Sequence, residues 1–454
     1  MPFLLVYVQN LPDLGVEGGI VFVQPLGQIL MYCGFGNAEV PGGGPDGGTG
    51  LDHVHSQFTG ALVQVIFHRL PSDAVLLEKL MKRGGAICLT VPRYRGKMKK
   101  IQKGDKPMIY FNNDYSEGCH PKILEALTRT NLEQTFGYSE DEYCAAAAAK
   151  IRRLCGREDA AVHFLVGGTQ SNLIVISSAL RPHQGALCPI GGHIAVHETG
   201  AIEATGHKVL TVPSDDGKIT AAQVRQVVLS HRADASFEHA VQPKLVYISN
   251  PTEYGTLYSL AELESLSATC RELGLYLFMD GARLGYGLTA KGYDVTLPDI
   301  ARLTDVFYIG GTKVGALFGE AVVILNPALK EDFRYMMKQK GAMFAKGRLL
   351  GIQFDTLMTD NLYWDIAAHA DKLADKIRAT LDELKVPYLV PGITNQIFPI
   401  LPDNLLAELK KSFAFAEIER VDETHRAIRF CTSWATKEEN VDALCAELKR
   451  LMKA

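Results

Sequence analysis

Two stretches of this 454-residue chain decide its fold: Tyr276-Leu-Phe-Met-Asp-Gly-Ala-Arg283 and Asp305-Val-Phe-Tyr-Ile-Gly-Gly-Thr-Lys313. Each is a short apolar run that stops abruptly at a charged residue. Runs of this length, rich in Tyr, Phe, Ile and Val and bounded by Gly, read as buried strands of a parallel sheet. In open α/β sheets, ligands sit at the carboxyl ends of the strands. The reading puts a carboxylate, Asp280, at one strand end and an amine, Lys313, just past another.

The alternation continues outward from these strands. Apolar spacing predicts helices over Pro121 to Leu132 and Glu142 to Leu154, and a strand over Ala160 to Val166. Gly167-Gly-Thr-Gln-Ser-Asn172 is expected to turn into a helix running from Leu173 to Leu180. A strand from Lys244 to Ser249 ends in Asn250-Pro-Thr-Glu-Tyr-Gly-Thr256. Ser259 then caps a helix that reaches Leu273, with Gly274 past its end. Strands alternating with helices imply βαβ units and an α/β domain with a mostly parallel sheet. Beyond about Thr359 the pattern becomes α+β. It comprises a long helix from Ile366 to Leu384, a helix from Asn404 to Lys411, a hairpin-like pair ending at Arg429-Phe-Cys431, and a last helix from Lys437 to Met452. The expected domains are therefore 108–360, large, and 361–454, small.

Residues 1–107 read differently. No Lys or Arg occurs from Met1 to His68, residues 41–50 have the composition of a flexible linker, and residues 93–106 are dense in Arg and Lys. This segment is expected to be an extension, disordered or outside the working enzyme. It has neither the basic start of a secretory signal nor an Arg-rich transit pattern. A formal charge of -4 exerts no strong pull toward nucleic acid or an anionic membrane, and no apolar run is long enough to span a bilayer. Nine Cys, without C-x-x-C pairs, fit reduced thiols in a cytoplasmic protein.

An Asp that can hold a protonated pyridine nitrogen and a Lys that can form a Schiff base are the two groups that pyridoxal 5'-phosphate needs. Asp280 would keep the ring cationic; Lys313, desolvated beside other charges, would be freed as a nucleophile. A surface Lys and a turn-capping Asp are the plainer readings, but both residues close buried runs. Gly168 and Thr169 precede a helix, whose N-terminal N–H groups and dipole suit a phosphate; Thr312 is a second phosphate candidate. His193 and His197 have a spacing that suits zinc, with Glu198 adjoining. The sequence is not H-E-x-x-H, however, and no third ligand is evident, so no metal is expected. The Gly-rich turn also lacks the G-x-G-x-x-G of a dinucleotide site.

From Met108 to the end, about three quarters of the chain, the sequence resembles the threonine aldolase / β-eliminating lyase family, PLP enzymes of the aspartate-aminotransferase fold (fold type I). Phe111-Asn-Asn-Asp-Tyr-Ser-Glu-Gly118 resembles that family's N-terminal substrate loop, and 167–172 its phosphate loop. The resemblance implies that His193 stacks on the pyridine ring. It implies that His197 and Glu198 are further candidates for moving the proton of a substrate hydroxyl. Asp280 and Arg283 match the cofactor motif, with Arg283 also toward substrate, and Lys313 matches the Schiff-base position. Arg429 matches the fork for the substrate carboxylate, with Ser116 adding a hydroxyl, and Arg348 a position reaching the phosphate from a neighbouring subunit. One departure is Thr312-Lys-Val-Gly315, where the family commonly carries Ser-Lys-Gly-Leu. The implied activity is cleavage of a small amino acid, L-threonine or L-allo-threonine, to glycine and acetaldehyde by a homodimer or homotetramer. The alternatives are β-elimination from a related amino acid and a non-catalytic PLP carrier.

Overall fold

A computed structural model describes residues 4–8, 19–23, 29–31 and 108–452, and the chain divides into two compact units, Met1–Gln102 and Lys103–Ala454. In the first unit, β1 (Leu4–Val8), β2 (Gly19–Val23) and β3 (Ile29–Met31) form an antiparallel sheet in that order. The Gly-rich run 41–50 and the basic run 93–106 lie outside the described residues.

The second unit starts with β4 (Ile109–Tyr110). Its main sheet comprises β5 (Ala161–Leu165), β6 (Gln184–Pro189), β7 (Val209–Val212), β8 (Gln242–Ser249), β9 (Tyr276–Asp280), β10 (Val306–Gly310) and β11 (Glu320–Ile324), in the order β5-β11-β10-β9-β8-β6-β7. All neighbours pair in parallel except β11, which is antiparallel to both β10 and β5. Side chains of the central strands alternate between two buried layers. Leu277, Met279, Phe307 and Ile309 belong to one; Tyr247, Phe278, Val306 and Tyr308 belong to the other. Burial on both faces is why β10 and β11 are apolar without a polar period.

Local signals set the helices. The helix Leu260–Leu273 starts in a capping box between Ser259 and Glu262 and ends at Gly274, whose φ is 69°. The helix expected from Leu173 in fact spans Gly168–Ala179. Its first turn is polar, so apolar spacing registers it only from Leu173 onward. The helix at His193 is a single turn, His193–Val196, and His197 ends it.

The C-terminal part builds its own antiparallel sheet from β12 (Gln396–Ile397), β13 (Ile400–Pro402), β15 (Ala416–Arg420) and β16 (His425–Cys431). The helices Leu362–Glu383 and Glu438–Met452 line a third core with Ile397, Leu401 and Phe430. β4 pairs in parallel with β14 (Phe413–Ala414), and Phe111 is buried in this third core against Phe413 and Phe430. Residues 109–111 therefore pack with the C-terminal elements, not with the large sheet, because an edge strand and an aromatic pocket await them there. Among the described residues all seven cysteines are free and buried. No described helix is long and apolar enough to cross a membrane.

Candidate active site

Strand pairing brings the reactive groups to one edge of the sheet. Ser249 at the end of β8 lies beside Asp280 at the end of β9; Gly310 at the end of β10 lies beside Glu320, where β11 begins. Only glycine permits the joint between β9 and β10. A Cβ on Gly281 would stand 1.9 Å from the Tyr308 carbonyl oxygen, and one on Gly310 2.3 Å from that of Ala282. The close approach lets the Gly310 N–H donate to the Gly281 carbonyl at 2.9 Å.

Asp280 is 4% exposed and points to the layer that holds Phe278. Its carboxylate accepts from the Tyr247 hydroxyl at 2.6 Å, the Ala282 N–H at 2.9 Å and the Asn172 amide at 3.2 Å. Burial acts to raise its pKa, but the charge of His193 and hydrogen bonds from Tyr247, Tyr308 and the Ala282 N–H hold it below the ordinary carboxylate value. It is a fixed, ionised carboxylate in an apolar wall.

Lys313 sits in the loop between β10 and β11. The Gly311 and Thr312 N–H groups both donate to the Gly319 carbonyl at 3.0 Å, and the Gly319 N–H returns to the Thr312 hydroxyl at 3.0 Å. Thr312 thus closes the loop on itself, a structural duty that the phosphate reading did not foresee. The Tyr286 hydroxyl donates to the Lys313 carbonyl at 2.5 Å, while the Lys313 side chain has no hydrogen bond or ion pair among the described residues. Burial and the Arg283 charge push its pKa down, against Asp114, Asp280 and Glu320. The balance holds the amine below the ordinary lysine value.

His193 is held from two sides. Its backbone N–H donates to Glu253 Oε1 at 2.9 Å, and its Nδ1 lies 2.8 Å from Glu198 Oε1, which also accepts from the Asn172 amide at 2.6 Å. Burial opposes a charge on His193, but Glu198 and Asp280 raise its pKa on balance. His197 is exposed and stands against the His193 ring, with centroids 5.5 Å apart; burial and the positive charge of His193 lower its pKa.

Arg283 donates through Nε and Nη2 to Asp114 at 2.7 and 3.0 Å, a buried fork-to-fork pair completed by the Asn395 amide at 2.9 Å. Burial opposes ionisation, but Arg283, Lys313 and these hydrogen bonds bring Asp114 down to about 2. Arg429 donates to Gln396 at 3.1 Å and to the Asn112 carbonyl at 2.9 Å. The segment 111–116 therefore straps both arginines. Ser116 lies exposed at the end of this strap, its hydroxyl on Asn113. Gly168 and Thr169 open their helix with no side-chain cap. Arg348 does not join the cluster: its guanidinium donates to the Thr130 and Asn131 carbonyls, at the end of the helix Pro121–Thr130.

Asp114, Asn172, Tyr247, Glu253, Glu320 and Asn395 were not singled out from the sequence. Asp114 and Glu320 carried a signal: the one lies in the quoted substrate loop, and the other is a charge opening the apolar run Glu320-Ala-Val-Val-Ile324. The set fits pyridoxal phosphate. Asn172 Oδ1, Glu198 Oε2, Gln396 Nε2 and Arg429 Nε are enclosed without partners. Orphaned polar atoms cost about 1–3 kcal/mol each, and a bound polar group would relieve such a cost.

A family model for β-eliminating lyases matches residues 114–402. The low-specificity L-threonine aldolase of Pseudomonas sp. (strain NCIMB 10558) is 32% identical over 354 residues, 77% of this chain and 99% of that protein. That of Saccharomyces cerevisiae (strain ATCC 204508 / S288c) is 27% identical over 293 residues, covering 63% of this chain and 73% of its own. The solved threonine aldolase of Leishmania major is 50% identical with a TM-score of 0.74, covering 76% of this chain and 99% of that one. An aspartate aminotransferase from Thermus thermophilus, 16% identical with a TM-score of 0.57 and covering 84% of this chain and 97% of its own, shares the fold.

Proposed function

Because the chain belongs to the β-eliminating lyase family, we propose that it is a PLP-dependent aldehyde-lyase that cleaves L-threonine or L-allo-threonine to glycine and acetaldehyde. The observation that carries this reading is the pairing of an ionised, buried Asp280 with an unpaired Lys313 across adjacent strand ends. When bound, the cofactor supplies an electron sink for the pair left on Cα as the Cα–Cβ bond breaks.

The chain's own residues do the rest. Lys313 would hold the cofactor covalently, and Asp280 would keep its charge against the pyridine nitrogen. The open N–H groups of Gly168 and Thr169 would take the phosphate. Arg429 and Arg283, with Ser116, would orient the substrate carboxylate; Arg283 is pre-aligned by Asp114, which leaves Nη1 and the second N–H of Nη2 to give. His193 has Nδ1 committed to Glu198, which leaves Nε2 to face the ring and the β-hydroxyl proton. His197, exposed and of lowered proton affinity, is the second candidate for that proton; Glu198 acts through His193.

The working enzyme would be a domain over 108–360 and a smaller one over 361–454, with 1–107 outside it, acting in the cytoplasm as a homodimer or homotetramer. Large apolar side chains left open support assembly: Leu132 is 92% exposed, Phe136 79% and Tyr335 76%. The name of the matched family favours β-elimination as the second reading. Product analysis on threonine, allo-threonine, phenylserine, serine and tryptophan separates the two. Glycine with an aldehyde is expected; ammonia with a keto acid would replace the aldolase by an eliminating lyase.

A further inference from the structure

Glu320 has no part in the chemistry described so far, yet it sits at the centre of it. It opens β11, is 3% exposed, and faces Gly310 on β10 and Leu165 on β5. A carboxylate in such a wall is expensive unless it is paired. Its Oε2 accepts the Gly311 N–H at 2.9 Å, and the Thr312 hydroxyl also acts on the carboxyl. The residues it braces form the neck of the loop that carries Lys313, where Gly311 and Thr312 bond back to Gly319. The titratable groups that face it are Lys313 in the loop, Asp280 on β9, Tyr308 on β10 and Tyr363 from the helix Leu362–Glu383, whose hydroxyl donates to the Gly310 carbonyl. Lys313 is the cation in that group.

We propose that Glu320 is a positioning residue for Lys313: from the neck of the loop it fixes the backbone that carries the lysine and favours the positive charge on its nitrogen. The inference rests on Lys313 being the cofactor-binding amine. Burial raises Glu320 to about 8, against the Thr312 hydroxyl, the Lys313 charge and the Gly311 N–H. With Glu320 ionised, the Lys313 nitrogen keeps its proton to higher pH.

Glu320→Gln retains an acceptor for the Gly311 N–H and removes the charge. In the holoenzyme, the pH titration of the cofactor's visible absorbance should move down by about one unit in E320Q, a tenfold change in the unprotonated fraction. Glu320→Asp, which keeps the charge, should restore most of the shift. A midpoint that does not move in E320Q overturns the proposal. Cofactor-free protein gives a second reading that does not depend on bound PLP: the pH at which Lys313 is modified by an amine-specific reagent, followed by peptide mass spectrometry. The same downward shift is expected there, and parallel profiles for parent and E320Q would also overturn it. Protein that never acquires the cofactor colour would instead refute the functional reading, while the Lys313 modification profile still tests Glu320.

Discussion

At the scale of single residues, charge is decided by what burial leaves available. Lys313 has no substitute at the sheet edge, so Lys313→Ala should abolish both the covalent cofactor colour and turnover; near-normal activity in that variant would refute the assignment. Asp280→Asn keeps the shape of the wall but not its charge. Cofactor should stay bound while turnover falls by orders of magnitude, and a rate within a few-fold of the parent would make Asp280 structural. Asp114 yields a pH prediction. Its folded pKa, about 2, lies below its ordinary value, so its contribution is fully present above pH 4 and is lost as pH falls through 2. That contribution is on the order of 2 kcal/mol. Asp114→Asn should therefore be less stable at pH 7 and lose less stability between pH 4 and pH 2. Urea midpoints that fall in parallel for both proteins would show that the pair is not stabilising. Asp280 and Lys313 were legible in the sequence because each ends an apolar run. Glu253 and Asn395 were not: each sits among turn residues, and its role depends on partners distant in the chain, such as Asp114, 281 positions before Asn395.

At the scale of elements, strands with both faces buried were the easiest to read. β9 starts and stops where its apolar run does, and the capping box at Ser259 fixes a helix start. What periodicity misses is polarity with a purpose. The opening turn at Gly168 carries no apolar residue, and the antiparallel direction of β11 depends on a loop of tight glycines. The joint between β9 and β10 gives the element-scale prediction. At Gly281 the obstacle is backbone, which cannot swing aside, so Gly281→Ala should cost about 3 kcal/mol or more. Gly118→Ala, with nothing within 4 Å of its new Cβ, is the control. Soluble yield and melting temperature of the two variants decide; equal behaviour would mean that the joint can open.

At the scale of the whole molecule, a protein starting at Met108 should fold, bind cofactor and turn over like the full chain. Every residue assigned to the site lies beyond that point. Size-exclusion profiles and cofactor absorbance of the two proteins provide the comparison; aggregation or loss of colour on truncation would give the extension a structural duty. The strap at 111–116 also sets an order in time. Asp114 is made 169 residues before Arg283 and 281 before Asn395, and the Asn112 carbonyl 317 before Arg429. At ribosomal speeds of about 5–20 residues per second, the first part of the site waits roughly 15 to 55 seconds for Asn395. Until Arg283 is made Asp114 has to stay hydrated, since an unpaired carboxylate resists burial. The substrate fork is begun by the first residues of the folded body to be synthesised and finished by some of the last, so a chain released early carries an open site.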